Sequence, residues 1–406
     1  MKAFHPLKFL PFLTAMLLLA LSAAACGTPQ LTNTPTPLPP PTREFAQQPT
    51  PTVWVALPTP TSAAPDSAIH TQATATATQS GPADPYAGLV FDTSEGLFLV
   101  ARNGEPERLI EHPDTTLTID AAISADGSQV VYAAAGDVKD LWLADLTSGE
   151  RRNLTNTPDR SEFAPQLWPA RPDVIVFESK SSDEPLFGYG HPSIVNWDGS
   201  DYRVLDPQKG GPIALSPDGQ TIAFGCCDSP GVLYDWSDGP VLLSPGAYGL
   251  NIDKLFMPEF SPSGELLAWK SGGNLTTNQY QSAIAIFDRQ AMHAQLLHIY
   301  SPVGGGSFPE YLRWSPDGEW MAFVTFNEPG APARQPALWV SRPDGSQEYL
   351  IGGGYNPVWS PGGKLLAFNR SEGTPPVDLA FTVEAGNWQE PQQIPYQGHL
   401  NTWIER

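Results

Sequence analysis

The sequence predicts an all-β fold, a β-propeller of four-stranded blades with seven blades in the ring. Three observations carry this. The phrase Ser-Pro-Asp-Gly, or a near copy, recurs roughly every 45 residues, each time before an apolar β-type run. A second series of hairpin turns follows these phrases along the chain. The extreme C-terminus offers a strand that the first blade lacks. A period of about 40–50 residues in an all-β pattern is that of propeller blades.

The phrase reads Ser216-Pro217-Asp218-Gly219 before Thr221-Ile222-Ala223-Phe224, and Ser315-Pro316-Asp317-Gly318 before Trp320-Met321-Ala322-Phe323. Looser copies start at Ser124, Ser261 and Ser360, and a degenerate one runs from Pro169 to Asp173. Pro pre-sets φ, Ser and Asp hydrogen-bond locally, and Gly accepts positive φ, so the phrase suits a tight turn between two strands. The residue before it is apolar and usually large: Ile123, Trp168, Leu215, Phe260, Trp314, Trp359. Such a residue suits the end of an inner strand packed on the neighbouring blade.

Third strands follow, such as Leu97-Phe98-Leu99-Val100, Leu141-Trp142-Leu143 and Ala337-Leu338-Trp339-Val340. Turn dipeptides such as Asn103-Gly104, Ser148-Gly149, Asp198-Gly199 and Asp344-Gly345 then lead into fourth strands. The first blade has strands near Leu89–Phe91, Leu97–Val100 and Arg108–Ile110 with no inner strand before them. His399-Leu400-Asn401-Thr402-Trp403-Ile404 resembles the other inner strands, so the C-terminal strand is expected to close the ring and remove its open edge. Six blades is the alternative, if 88–110 merely completes the last sheet.

Residues 1–26 read as a lipoprotein signal peptide. Lys2 and Lys8 precede an apolar run, Phe9 to Ala20, that is too short to span a bilayer. Small residues then lead to Cys26 in the manner of a bacterial lipobox, with Cys26 as the lipidated residue. Residues 27–85 read as a disordered linker rich in Thr and Pro, and 86–406 as the propeller domain. The expected location is extracytoplasmic, with the lipid holding the chain to the outer face of the cell membrane.

The formal net charge of −21 and the lack of a Lys/Arg cluster speak against nucleic acid and anionic lipid as partners. No metal-ligand spacing, phosphate loop, nucleophile elbow or cofactor motif occurs, so no cofactor is expected. The histidines of the domain, His112, His191, His293, His298 and His399, are scattered over different blades. Adjacent Cys226 and Cys227 can close a vicinal disulfide in an oxidising compartment or stay as two thiols; the sequence leaves both open.

The loops after each second strand share one face with the connections between blades, and that face is expected to carry the ligand. Tyr189, His191, Cys226, Cys227, Asp228 and Tyr280 fall on those loops and are the candidate ligand-binding residues. No catalytic residue stands out.

The repeats resemble the TolB-like propeller family. Leu141-Trp142-Leu143-Ala144-Asp145, Arg152-Asn153-Leu154-Thr155 and Trp314-Ser315-Pro316-Asp317-Gly318 carry the resemblance, over most of 88–404. It implies a scaffold that binds partner proteins, and the same repeat occurs in some polysaccharide lyases. The lipobox and tether stand where that family has a partner-binding domain. The expectation is a monomeric binding or scaffold module for a protein or glycan. The alternative is a carbohydrate-active lyase or hydrolase with its site at the mouth of the central channel.

Overall fold

The computed structural model describes residues 83–405, apart from 112–119, 135–138, 185–188, 227–230, 251, 253, 274, 277–279, 303–309, 327, 329–335 and 374–375. The lipobox and linker therefore lie outside the described residues. From Ala83 onward the chain is one compact unit of antiparallel strands.

Blade 1 contains β1 (Leu89–Thr93), β2 (Gly96–Val100) and β3 (Pro106–Glu111). Blade 2 is β4 (Ala121–Ile123), β5 (Gln129–Ala134), β6 (Asp140–Asp145) and β7 (Arg151–Asn153). Blade 3 is β8 (Arg160–Leu167), β9 (Val174–Ser181), β10 (His191–Asn196) and β11 (Arg203–Val204). Blade 4 is β12 (Ile213–Leu215), β13 (Thr221–Phe224), β14 (Val232–Asp235) and β15 (Gly239–Leu242). Blade 5 is β16 (Leu255–Phe260), β17 (Leu266–Gly273), β18 (Gln281–Asp288) and β19 (His293–Tyr300). Blade 6 is β20 (Glu310–Trp314), β21 (Met321–Thr325), β22 (Ala337–Ser341) and β23 (Glu348–Gly353). Blade 7 is β24 (Tyr355–Trp359), β25 (Leu365–Glu372), β26 (Val377–Glu384) and β27 (Gln392–Gln397). The last strand, β28 (His399–Trp403), pairs with β1 and becomes the inner strand of blade 1. The seven sheets, each of four strands, are the predicted seven blades, and the ring is closed by the C-terminal strand.

The repeated phrase builds the turn between the first two strands. In blade 6, Ser315 Oγ donates to Asp317 Oδ1 at 2.5 Å. Asp317 Oδ1 also accepts the Glu319 N–H at 3.0 Å, and Ser315 Oγ accepts the Trp320 N–H at 2.9 Å. Gly318 takes φ 72°. Ser216 and Asp218 repeat this in blade 4, and Ser124 and Asp126 in blade 2. The side chains thus satisfy backbone donors that the turn would otherwise orphan.

Every second strand carries an aromatic residue at the equivalent position: Phe91, Tyr132, Phe177, Phe224, Trp269, Phe323 and Phe368, all buried. These rings seed seven hydrophobic clusters, each between adjacent blades. Seven blades have seven interfaces only in a closed ring. The seventh packs Phe91, Leu400 and Trp403 against Val358, Ala367 and Ala380 of blade 7.

Indoles at the ends of inner strands fasten neighbouring blades. Trp314 Nε1 donates to Glu259 O and Trp359 Nε1 to Arg313 O, each at 3.2 Å, and Trp168 Nε1 donates to Ser216 O at 2.7 Å. The closing strand has its own polar fastening. Leu400 N–H donates to Asn369 Oδ1 at 2.9 Å, and Asn356 Nδ2 donates to Leu400 O.

The inner strands β8, β16, β20 and β24 each carry a break in register: between Phe163 and Gln166, Phe256 and Glu259, Glu310 and Arg313, and Tyr355 and Val358. A non-glycine residue sits at positive φ in each: Ala164, Met257, Tyr311 and Asn356, at 46–54°. Such a conformation costs about 1–2 kcal/mol per residue, so the bulges are imposed by packing around the channel.

Candidate functional site

Antiparallel strands alternate direction, so the phrase turns gather at one end of the ring and the loops after second strands at the other. On that loop face, glycines let the backbones of blades 3 and 4 touch. A Cβ on Gly210 would lie 2.5 Å from Gly190 O, and one on Gly211 would lie 2.5 Å from the carbonyl carbon of Gly225. The Tyr189–Gly190, Gly210–Gly211 and Gly225–Cys226 segments are therefore stacked directly on one another. Gly231, in turn, seats the Trp269 ring of blade 5, 2.6 Å from where its Cβ would be.

This stack brings together three of the expected site residues, Tyr189, His191 and Cys226. His191 is the first residue of β10 and not a loop residue, because β9 runs on to Ser181 and shortens the loop. Its Nδ1 faces Asp206 O and Lys209 O, each at 3.1 Å, and its Nε2 lies 3.3 Å from Glu184 Oε2. Its ring thus ties two loops together. Cys226 is disulfide-bonded, and Cys227 and Asp228 lie outside the described residues. Tyr280 stands apart, just before β18, its hydroxyl buried and its pKa pushed up to about 12 by that burial.

Tyr189 is 39% exposed. Burial first, and then the charges of Glu310 and Glu178, push its phenol up to about 12. Glu178 belongs to blade 3 and Glu310 to blade 6, across the ring.

The residue after each aromatic in the second strands forms a ring of equivalent positions: Asp92, Ala133, Glu178, Gly225, Lys270, Val324 and Asn369. Four of them are polar and buried. Glu178 Oε2 accepts the Gly190 N–H at 3.0 Å. Burial nonetheless raises its pKa to about 7, against the pull of that bond. Asn369 holds β28 through Leu400 N and Gly398 O. Asp92 faces His399 Nδ1 at 3.6 Å.

Lys270 is 2% exposed, and its Nζ donates to the sulfur of Met257, the positive-φ residue of the β16 bulge. Burial pulls its pKa down to about 7; Glu310 and Glu259 oppose this and Arg313 adds to it. Arg313 Nη1 lies 3.7 Å from Glu259 Oε2, and both side chains are partly open to solvent. Burial raises the pKa of Glu259 and Glu310 alike.

Two further polar clusters lie between blades. Glu162 accepts hydroxyls from Thr157 at 2.8 Å and from Thr155 and Tyr202 at 3.1 Å, joining blade 2 to blade 3. Burial raises it to about 7 in spite of these bonds. His298, at φ 48°, faces Glu328 at 3.1 Å and Glu348 at 3.0 Å, with the rings of Trp339, Phe323 and Tyr300 around it. Burial alone would lower its pKa, but the bonds and charges of the two glutamates outweigh it and hold it at about 9.

A cavity of about 320 Å³ opens on the opposite, phrase-bearing face. Gln166, Trp168, Pro169, Pro217, Glu259 and Phe260 are among its walls. Among the described residues no group of three or more His, Cys, Asp or Glu is placed to hold a metal ion.

Glu178, Lys270, Glu310 and the Glu259–Arg313 pair escaped the sequence reading. A signal existed for the first two, since each follows the aromatic residue at a fixed distance from the phrase, where other blades place Ala, Gly or Val. No such signal marks Glu310 or Arg313, whose inward placement depends on the bulge.

No protein-family model matches the chain, and no curated protein matches it. Solved structures do. An oligogalacturonate lyase in complex with manganese is 14% identical, with 75% of this chain and 84% of that chain covered and a TM-score of 0.53. A protein assigned as TolB from Agrobacterium tumefaciens is 16% identical, covering 61% and 83%, with a TM-score of 0.42. The propeller domain of Cps50 (Swd1) from Myceliophteria thermophila is 13% identical, covering 70% and 93%, with a TM-score of 0.46. At this identity the lyase match shows the β-propeller fold alone.

Proposed function

We propose that this chain is an exported, lipid-anchored β-propeller that binds a protein or glycan partner at the cell surface through its loop face. The observation that carries the reading is Tyr189. It is an exposed aromatic ring on the loop face, next to Gly190, whose backbone packs directly on Gly210, and the charges of Glu178 and Glu310 act on its hydroxyl. An aromatic face beside fixed acceptors suits a sugar ring or the side chains of a peptide. The close contacts of Gly190, Gly210, Gly211 and Gly225 fix the backbone at the base of this site before any ligand binds.

A lyase or hydrolase is the second reading, favoured by His399 against buried Asp92 on the inner strand of blade 1. The structural neighbour acts on oligogalacturonates and holds manganese. No matching ligand group exists among the described residues here.

A glycan and peptide array probed with the purified protein, with mass analysis of every hit, separates the two readings. Intact ligand supports binding; a cleaved product supports the enzyme. Anchoring rests on Cys26. Labelled palmitate should enter the wild-type chain, and Cys26→Ala should lose both label and membrane association. Unchanged membrane association of Cys26→Ala would refute the anchor.

A further inference from the structure

We infer that the cavity on the phrase face binds a neutral indole-type heteroaromatic, a flat apolar ring with one N–H donor, in the place of a tryptophan that blade 4 lacks. Phe260, Trp314 and Trp359 hold one equivalent position in blades 5, 6 and 7. Each pairs with the residue two before the buried aromatic of its second strand: Leu267, Met321 and Leu366. Leu215 holds that position in blade 4, paired with Ile222. Leu167 holds it in blade 3, paired with Ile175, and Trp168 comes one residue later.

The indoles of blades 6 and 7 show what this position accommodates. Trp314 Nε1 donates to Glu259 O and Trp359 Nε1 to Arg313 O, each at 3.2 Å. Each acceptor belongs to the preceding blade, one residue before its own equivalent position. By the same rule an indole at position 215 would meet Gln166 O, the residue before Leu167. Leu215 has neither a ring nor an N–H. The cavity of about 320 Å³ opens beside it, with Gln166, Leu167, Ala214 and Phe260 among its walls. Trp168 forms a wall and not a filling, because its Nε1 donates forward to Ser216 O of the following blade.

Size, polarity and access agree with such a ligand. An apolar cavity of about 150 Å³ already takes up benzene, and pockets for small ligands begin near ~300 Å³. Leu167, Trp168, Leu215 and Phe260 make the walls mainly apolar. A carbonyl oxygen has two lone pairs, so Gln166 O can accept a ligand N–H beside a bond within the sheet. The rim is open to solvent: Pro169, Ala170 and Pro217 are exposed, and Gln166, Leu167 and Leu215 are half-buried.

This inference is independent of the partner proposed above, which the opposite face would bind. The test titrates the folded full-length protein with 5-fluoroindole and follows the fluorine NMR signal of the probe. The expected result is saturation at one site per chain below about 1 mM, within reach for a ligand of this size. The N-methyl derivative of the probe lacks the donor and should bind at least about tenfold more weakly. Leu215→Trp supplies the missing ring from the chain itself and should abolish binding. Leu215→Phe, which copies blade 5, should weaken it. The comparison of the two probes on wild type decides the matter even if both variants misfold. Absence of saturable binding in that range, equal binding of the N-methyl probe, or undiminished binding by folded Leu215→Trp would overturn the inference.

Discussion

His298 shows how one side chain can set the pH dependence of a joint between blades. Its pKa rises from 6.5 to about 9 because Glu328 and Glu348 hold its charged form. The pairing therefore stabilises the fold fully below about pH 6.5 and is lost as pH rises through 9. The shift corresponds to about 3 kcal/mol. Glu178 and Glu162 act in the same direction at lower pH. Each is raised from 4.5 to about 7, so each contribution is full below 4.5 and lost as pH rises through 7. Asp126, held at about 2 by the Ser124 hydroxyl first and then by Ser128, works oppositely and is lost only in strong acid. The melting temperature should thus be higher at pH 5.5 than at pH 8.5. His298→Gln should flatten the part of the curve above pH 7. A wild-type curve that rises from pH 6 to 9 would contradict this account of the three groups.

At the scale of the element, the phrase turn and the glycine contacts make separate predictions. Asp317→Ala removes the acceptor shared by Ser315 and Glu319 and should cost about 1 kcal/mol by urea titration. Gly231→Ala should cost more, about 1–3 kcal/mol, because its methyl meets the Trp269 ring inside a full interface. Equal effects from the two changes would mean that the interface yields more easily than its packing implies. These elements also show what a sequence can disclose. The phrase is legible because its turn needs Ser, Asp and Gly for distinct local reasons, all within a few residues. The bulges are not. Ala164, Met257 and Tyr311 adopt positive φ without any of the Gly or Asn signals that announce it, since the conformation answers to neighbouring blades rather than to local sequence. The candidate site was half legible for the same reason. Tyr189 and Cys226 stand on loops countable from the repeat, whereas Glu310 and Arg313 owe their positions to a bulge.

For the whole molecule, closure is the main determinant. β28 supplies Leu400 and Trp403 to the interface of blades 7 and 1 and covers the edge of β1. Deleting 399–406 removes both side chains, a loss on the order of 5 kcal/mol or more. It also exposes a strand edge that can template association. The truncated chain should aggregate or unfold well below the intact protein in a thermal scan. An unchanged transition would mean that the ring does not depend on its closing strand. The closed ring also gathers the loops after the second strands on one face, and the binding proposal depends on that face. The most direct measurement places a photo-crosslinking residue at Tyr189 on the loop face and, separately, at Val241 on the outer edge of blade 4, in cells producing the full chain. The account predicts a discrete crosslinked partner from position 189 and none of that mass from position 241. The same species from both positions, or from position 241 alone, would contradict a loop-face binding site.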